Sequence, residues 1–284
     1  MAYDFILLDI TDKIATITLN RPKQLNALSE ALLSEYVHAL KTAEDDPNVR
    51  AVIVKGAGPG FCAGYDAAGG NGNYAPEDAA DAAPFIDDKK NLDRMWGATA
   101  TAWNLTKPVI AQVHGYCVAG GNDIAGQCDV IIAADNAIIQ QPQVRRLGLS
   151  FNHMYPYKIG PQWSKILLLS GDPVSGKEAE QLGLVAMSVP EEELEAQVLK
   201  LAKRFTLIDP TMMATNKMAI NRAYESMGLN QARETANTLD TVAHVAPIMQ
   251  KFVQTAMTSG FKAALTENEA PFKADERPFK VPGG

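Results

Sequence analysis

One segment constrains this chain more than any other. An apolar run, Val109–Val113, leads through His114-Gly115-Tyr116-Cys117-Val118-Ala119 into Gly120-Gly121-Asn122-Asp123-Ile124. The paired glycines precede an acid and a helical stretch that ends near Cys128-Asp129. A strand feeding a Gly-Gly turn into a helix gathers backbone N–H groups that have no intrahelical acceptor. Such a place binds an anion, or an oxygen that becomes one during a reaction. Asp123 stands one turn inside the helix, so a titratable carboxylate shares the segment. Together they predict chemistry at a carbonyl.

A second segment follows the same logic. Arg50–Lys55 reads as a β-branched strand, and Gly56-Ala57-Gly58-Pro59-Gly60-Phe61-Cys62-Ala63-Gly64-Tyr65-Asp66 follows as a turn that can bring backbone close to a ligand. Upstream, Phe5–Leu8 and Ile14–Leu19 read as strands joined at Asp12-Lys13. The alternation in the second predicts one buried face. Ser29 is placed to cap a helix reaching about Ala43, with Leu32, Leu33, Tyr36 and Leu40 on its inner face. Strand–helix–strand order recurs at Val109–Val113, the Gly121 helix and Val130–Ala133, which predicts a parallel α/β core. Gly69–Pro84 is small, polar and acidic and reads as a flexible loop, with a helix over Asp87–Leu105 behind it. Beyond Ser170 the pattern turns helical: a capped helix ending at Gly183, another over 190–205, and two or three more between Pro210 and Phe261. The reading divides the chain into an α/β core, 1–205, and a helical region, 206–284.

Bulk properties narrow the function. A chain of 284 residues with 46 % hydrophobic and 21 % charged residues is an ordinary globular enzyme in composition. The net charge of −7 argues against nucleic acid or an anionic membrane as the main partner. Cys62, Cys117 and Cys128 have neither metal-site spacing nor a disulfide framework, so no metal is expected and a reducing cytoplasm is. The N-terminal residues carry no basic, apolar leader pattern. No G-x-G-x-x-G and no G-x-S-x-G motif appears, which sets aside dinucleotide and α/β-hydrolase readings.

Four ordered motifs, "LNRPKQLNAL", "GPGFCAGYD", "KPVIAQVHGYCVAGGNDIAGQCD" and "QQPQVRRLGL", make the chain resemble the enoyl-CoA hydratase/isomerase (crotonase) superfamily from Met1 to near Phe272. The resemblance implies a spiral of repeated ββα units with a C-terminal helical region that trimerises, often as a dimer of trimers. It implies an acyl-CoA substrate, with coenzyme A arriving as part of the thioester and no permanently bound cofactor. The thioester oxygen is expected on the N–H groups of Tyr65 and Gly120, which stabilise the developing enolate. Loss of one such donor costs about 3 kcal/mol of transition-state stabilisation. Ala63, Asp66 and Ala67 are expected to hold the adenine and pantetheine from one side, Lys23 and Leu25 from the other. Lys273 is a candidate phosphate contact, and the segment around Gly69–Pro84 a candidate lid.

The departures from that family pattern bear on mechanism. A hydratase uses two glutamates, one as base and one as acid. Here the corresponding positions are Asp123 and Gln143, and a glutamine amide cannot exchange a proton at neutral pH. Asp123 is therefore expected to shuttle a proton and Gln143 to orient water or the acyl chain. A one-carboxylate isomerase, a C–C hydrolase, or a non-catalytic CoA-thioester scaffold are the alternatives this pair leaves open. A bulky "LGLSFNHMYPYKIG" replaces the usual glycine-rich stretch, placing His153 and Tyr155 as candidate acyl-pocket residues. Ala68 stands where a basic side chain is often found. His38, His114 and His244 have no partner legible in the sequence.

Overall fold

A computed structural model describes residues 3–66, 83–149, 154–274 and 276–282. Ala67, His153 and nearly all of the Gly69–Pro84 segment lie outside the described residues.

The apolar runs form one six-stranded sheet. Its members are β1 (Ile6–Thr11), β2 (Ile14–Leu19), β3 (Ala51–Gly56), β4 (Val109–Val113), β6 (Val130–Ala134) and β9 (Met187–Val189), in the order β1-β2-β3-β4-β6-β9. Only the β1–β2 hairpin is antiparallel. Its turn residues Asp12 and Lys13 take left-handed backbone angles, φ 52° and 67°, which suit a tight reversal. The other pairs are parallel, with Ile14 opposite Ala51, Val52 opposite Val109 and Ile110 opposite Val130. The expected parallel core is present. The alternation in β2 misleads, however: Ile14, Ala15, Ile17 and Leu19 are all buried, because both faces of this strand are covered. A second, three-stranded sheet holds β5 (Tyr116–Val118), β7 (Ile138–Gln140) and β8 (Val174–Ser175).

Helix ends follow the sequence signals. Ser29 caps α1 (Glu30–Asp45) by accepting the Leu32 N–H at 3.2 Å. Ser175 and Glu178 form a reciprocal capping box on α6 (Gly176–Leu182), which stops at Gly183. The predicted 87–105 helix is two pieces, α2 (Ala83–Thr99) and α3 (Thr101–Asn104). Against β5, α2 and α3 lies α4 (Gly120–Gln127), buried along its whole length. Next comes α5 (Tyr155–Ser170), kinked at Gly160 ahead of Pro161, and α7 (Glu191–Phe205) has acids in its first turn and bases in its last.

Three helices lie between Pro210 and Phe261, within the expected two or three: α8 (Pro210–Ser226), α9 (Leu229–His244) and α10 (Pro247–Ser259); a further one, α11 (Phe261–Ala274), follows. They fold back on the core. Lys217 of α8 is 7 % exposed and donates to Asp129 Oδ2 at 2.7 Å and to the carbonyls of Ala102 and Lys107. A buried ammonium so fully paired fixes where α8 sits. Asn237 of α9 donates to Asp93 of α2 at 2.8 Å, so α9 lies against α2. Arg145 pins α11, bonding Glu269 at 2.5 Å and stacking on Phe272. The three cysteines are buried and unbridged. Among the described residues no helix is long and apolar enough to cross a membrane, and no group of His, Cys, Asp and Glu side chains could hold a metal ion.

Candidate active site

Backbone pairing brings the two glycine-rich turns together. Phe61 N–H donates to His114, Cys62 N–H to Tyr116, and Val118 N–H back to Cys62, all near 2.9 Å, so residues 61–62 run beside β5. Close approach explains the glycines. A methyl group at Gly121 would stand 2.4 Å from the Cys62 carbonyl oxygen. One at Gly64, where φ is +111°, would meet Ala119 at 2.9 Å and lie 3.7 Å from the Gly120 nitrogen. One at Gly120 would strike the Tyr65 ring at 2.8 Å. The turn carrying Tyr65 and the N-terminus of α4 are thus in contact, with the first α4 N–H groups lacking intrahelical acceptors. These two turns carry the two backbone donors expected from sequence.

Asn26 holds the first turn in place. Its side chain is fully buried and its Nδ2 donates to Ala57, Gly60 and Phe61 carbonyls at 2.9, 2.9 and 3.2 Å. Its Oδ1 accepts the Arg21 N–H at 2.9 Å. Nothing in the sequence reading singled it out. The signal was an Asn directly after Leu25 in a left-handed stretch, φ 50° and 56°, which Asn tolerates better than most residues.

Asp123 is 8 % exposed and lines a cavity of about 70 Å³ with Tyr65, Gln143, Leu92, Met95 and Trp96. Gln141 Nε2 donates to its Oδ1 at 3.1 Å and the Tyr65 hydroxyl to its Oδ2 at 3.2 Å. Burial pushes its carboxyl up to about 7, the two hydrogen bonds pull the other way, and the charge of Asp240 adds to the rise. A carboxyl raised this far can give or take a proton near neutral pH. Gln143 joins the same cavity from the short 3₁₀ turn Gln143–Arg145, and its Oε1 is buried without a partner among the described residues.

Other expected residues fall elsewhere. Tyr155 does not line the cavity. It is 2 % exposed in the main core and accepts from Asn122 Nδ2 at 2.7 Å, so it braces α4 from behind. Ala63 and Asp66 spend their N–H groups on the Leu25 and Leu28 carbonyls, so neither donor is available to a ligand. The Asp66 carboxylate pairs with Arg21 at 2.8 Å. Lys23 and Leu25 are exposed beside this turn, and Lys273 is exposed on the last turn of α11.

Two features were not anticipated. An open cleft of about 900 Å³ between α1 and α2 begins at Asp66, one residue from the Tyr65 turn, and has Arg21, Lys41 and Arg94 in its walls. These three cations are scattered in sequence, so no basic run announced them. The second feature is Asp240 and His244 of α9, which line the Asp123 cavity. His153 is therefore not the only histidine to be weighed at the site.

Comparison with known proteins decides the family. The model of the family described as enoyl-CoA hydratase/isomerase matches residues 9–261. This chain belongs to the enoyl-CoA hydratase/isomerase family. The crystal structure of an enoyl-CoA hydratase from Mycobacterium smegmatis superimposes with a TM-score of 0.89 at 30 % identity, covering 96 % of both chains. An enoyl-CoA hydratase/isomerase from Xanthobacter autotrophicus gives 0.87 at 32 % identity over 95 % of this chain and 99 % of that one. A crotonyl-CoA hydratase from Syntrophomonas wolfei is 34 % identical over 80 % of this chain and 85 % of its own. The fold is the crotonase fold, and the protein is an acyl-CoA enzyme of hydratase/isomerase type.

Within this family member the Tyr65 side chain is separable from its backbone donor. Tyr65→Phe keeps the N–H but removes the hydroxyl that favours the Asp123 carboxylate. The expected result is a less than tenfold fall in kcat, with the limb of the pH–rate profile that reports Asp123 moved to higher pH. A pH–rate profile of the variant checks this.

Proposed function

We propose that the protein adds water across the double bond of a 2-enoyl-CoA thioester. The observation that carries the reading is the placement of Asp123: a buried carboxyl poised near 7, one turn inside the helix whose first N–H groups meet the Tyr65 turn. In this reading Tyr65 N–H and Gly120 N–H hold the thioester oxygen as it gains negative charge. Asp123, nearest to that hole, delivers the proton to Cα. Gln143 hydrogen-bonds water or the acyl group without exchanging a proton. The cleft beyond Asp66 takes the nucleotide end of CoA, with Lys41 in its wall beside Arg21 and Arg94, which are paired with Asp66 and Glu30 of the same cleft. The helical region, 206–284, serves self-association as a trimer or dimer of trimers. Met212, Ile220, Met227 and Met257 support this, each more than half exposed.

The test is loss of the conjugated thioester absorbance of crotonyl-CoA and of a longer 2-enoyl-CoA, with Asp123→Ala alongside. Turnover that disappears in the variant is expected. Acyl-CoA binding without turnover of either substrate would sink the hydratase reading.

A further inference from the structure

We propose that Asp240 is the second acid–base residue of this active site, acting across the cavity from Asp123, with His244 as its positioning residue. The inference rests on the hydratase reading above and supplies the proton acceptor that Gln143 cannot be.

The geometry begins with α9. Asp240 and His244 are four residues apart on one face of that helix, and both line the cavity that holds Asp123, Gln143 and Tyr65. Asp240 Oδ1 accepts the Leu149 N–H at 2.6 Å and lies 3.5 Å from His244 Nε2. The other ring nitrogen, Nδ1, sits 2.7 Å from Asp88 Oδ2 on α2. Carboxylate, imidazole and carboxylate thus form one chain, and the imidazole cannot swing without breaking it. Gly148 shapes the same spot. Its φ is +135°, and a methyl group there would stand 2.7 Å from Asp240 Oδ1 and 3.0 Å from His244 Nε2. The bare backbone before Leu149 therefore presses directly on the pair.

A purely structural link between α2 and α9 needs only the Asp88–His244 bond. Adding Asp240 puts two carboxylates on one imidazole, with Asp123 facing them across a small cavity walled by Leu92, Met95 and Trp96. Like charges gathered in a dry site disfavour folding, and such groups mark places where proton transfer is done. The titratable groups facing Asp240 among the described residues are His244 on its own helix, Asp88 on α2, Asp123 on α4 and the Tyr65 phenol. Asp93 of α2 is close by but is paired with Lys89 and Asn237. Burial raises Asp240 above the usual carboxylate range against the pull of His244 and the Leu149 N–H, with Asp88 adding to the rise. Burial works against the charged imidazole of His244, but Asp88 and Asp240 outweigh it and hold it above the usual histidine value.

The step balances as follows. The water oxygen bonds to Cβ while one water proton passes to the Asp240 carboxylate. The double-bond pair moves through Cα to the thioester oxygen, forming the enolate. Protonated Asp123 then gives its proton to Cα as the enolate collapses. A solvent water returns the proton from Asp240 to Asp123, so H and OH are added and the enzyme is unchanged.

The experiment follows crotonyl-CoA hydration by the full chain from pH 5 to 9 for wild type, Asp123→Asn, Asp240→Asn, Asp240→Glu and His244→Gln, with a melting temperature for each. Asp240→Asn is expected to lower kcat about 100-fold with KM within about twofold. Asp240→Glu should recover at least a tenth of the wild-type rate. His244→Gln should keep most of kcat but move the acidic limb of the profile upward, since the imidazolium no longer favours the Asp240 carboxylate. Wild-type kcat and profile in Asp240→Asn, beside an inactive Asp123→Asn, would overturn the inference and leave the hydratase reading standing. So would equal losses in the Asn and Glu variants that track lowered melting temperatures. If wild type leaves crotonyl-CoA unchanged, the hydratase reading fails by itself. Conversion of 3-hexenoyl-CoA to its conjugated isomer, which needs a proton donor at Cγ, then decides Asp240. Absence of both reactions in wild type overturns both.

Discussion

Asp123→Asn is expected to lower kcat for 2-enoyl-CoA hydration about 1000-fold and, at pH 8, to raise the melting temperature. The rate loss is the ordinary worth of a positioned acid. The stability gain follows from linkage. Asp123 titrates near 3.8 as a free side chain and near 7 in the folded protein. Below about pH 4 both states carry the proton and the carboxyl adds no penalty. As pH rises from 4 to 7 the unfolded chain releases its proton while the folded one keeps it, so stability falls. Above 7 the full cost applies, at most about 4 kcal/mol by the shift. Asparagine carries no charge: its one carbonyl oxygen can still accept from Gln141 and its amide N–H can donate to the Tyr65 oxygen, so it escapes that cost. The gap between variant and wild type should be widest at pH 8 and close near pH 4. Because the protonated form is the donor, wild-type kcat should also fall above about pH 7. Melting curves at both pH values and a pH–rate profile test this; an equal gap at pH 4 and pH 8 would contradict it.

Asn26→Asp is expected to be the most damaging isosteric change in the molecule. The amide nitrogen serves three carbonyls, of Ala57, Gly60 and Phe61, in a site with no solvent exposure. A carboxylate has no proton to offer them, and its charge would face three carbonyl oxygens. Each orphaned acceptor costs about 1–3 kcal/mol, and a buried unpaired charge more. A loss of about 4 kcal/mol or greater is expected in urea unfolding, with Asn26→Ala losing less because it adds no repulsion. The turn held by this amide carries Tyr65, so residual folded Asn26→Asp should also turn over acyl-CoA poorly. A stable, active variant would remove Asn26 from the support of the Tyr65 turn.

Local signals carried much of this fold. The serines at 29 and 175, the hairpin at Asp12-Lys13 and the two Gly-rich turns each act over a few residues, so their roles were readable in order. The parallel strands followed from their spacing. What escaped was set by tertiary contact. β2 alternates in sequence yet is covered on both faces. Tyr155, beside the expected pocket in sequence, turned inward to meet Asn122. Asp240 drew no attention in the sequence and His244 had no legible partner; only the packing of α9 on α2 places them in the cavity. Arg21, Lys41 and Arg94 are one cleft in space and three unrelated cations in sequence.

The distance along the chain between α4 and α9 has a consequence during synthesis. The segments that build the two glycine-rich turns and carry Asp123 are complete once Gln127 has been made, whereas α9 begins only at Leu229. At about 5–20 residues per second, that interval lasts on the order of ten seconds. A nascent chain can thus pair its parallel strands and bring the two glycine-rich turns together while the far wall of the cavity does not yet exist. Closure over the carboxylate, and the dry surroundings that set its proton affinity, arrive last.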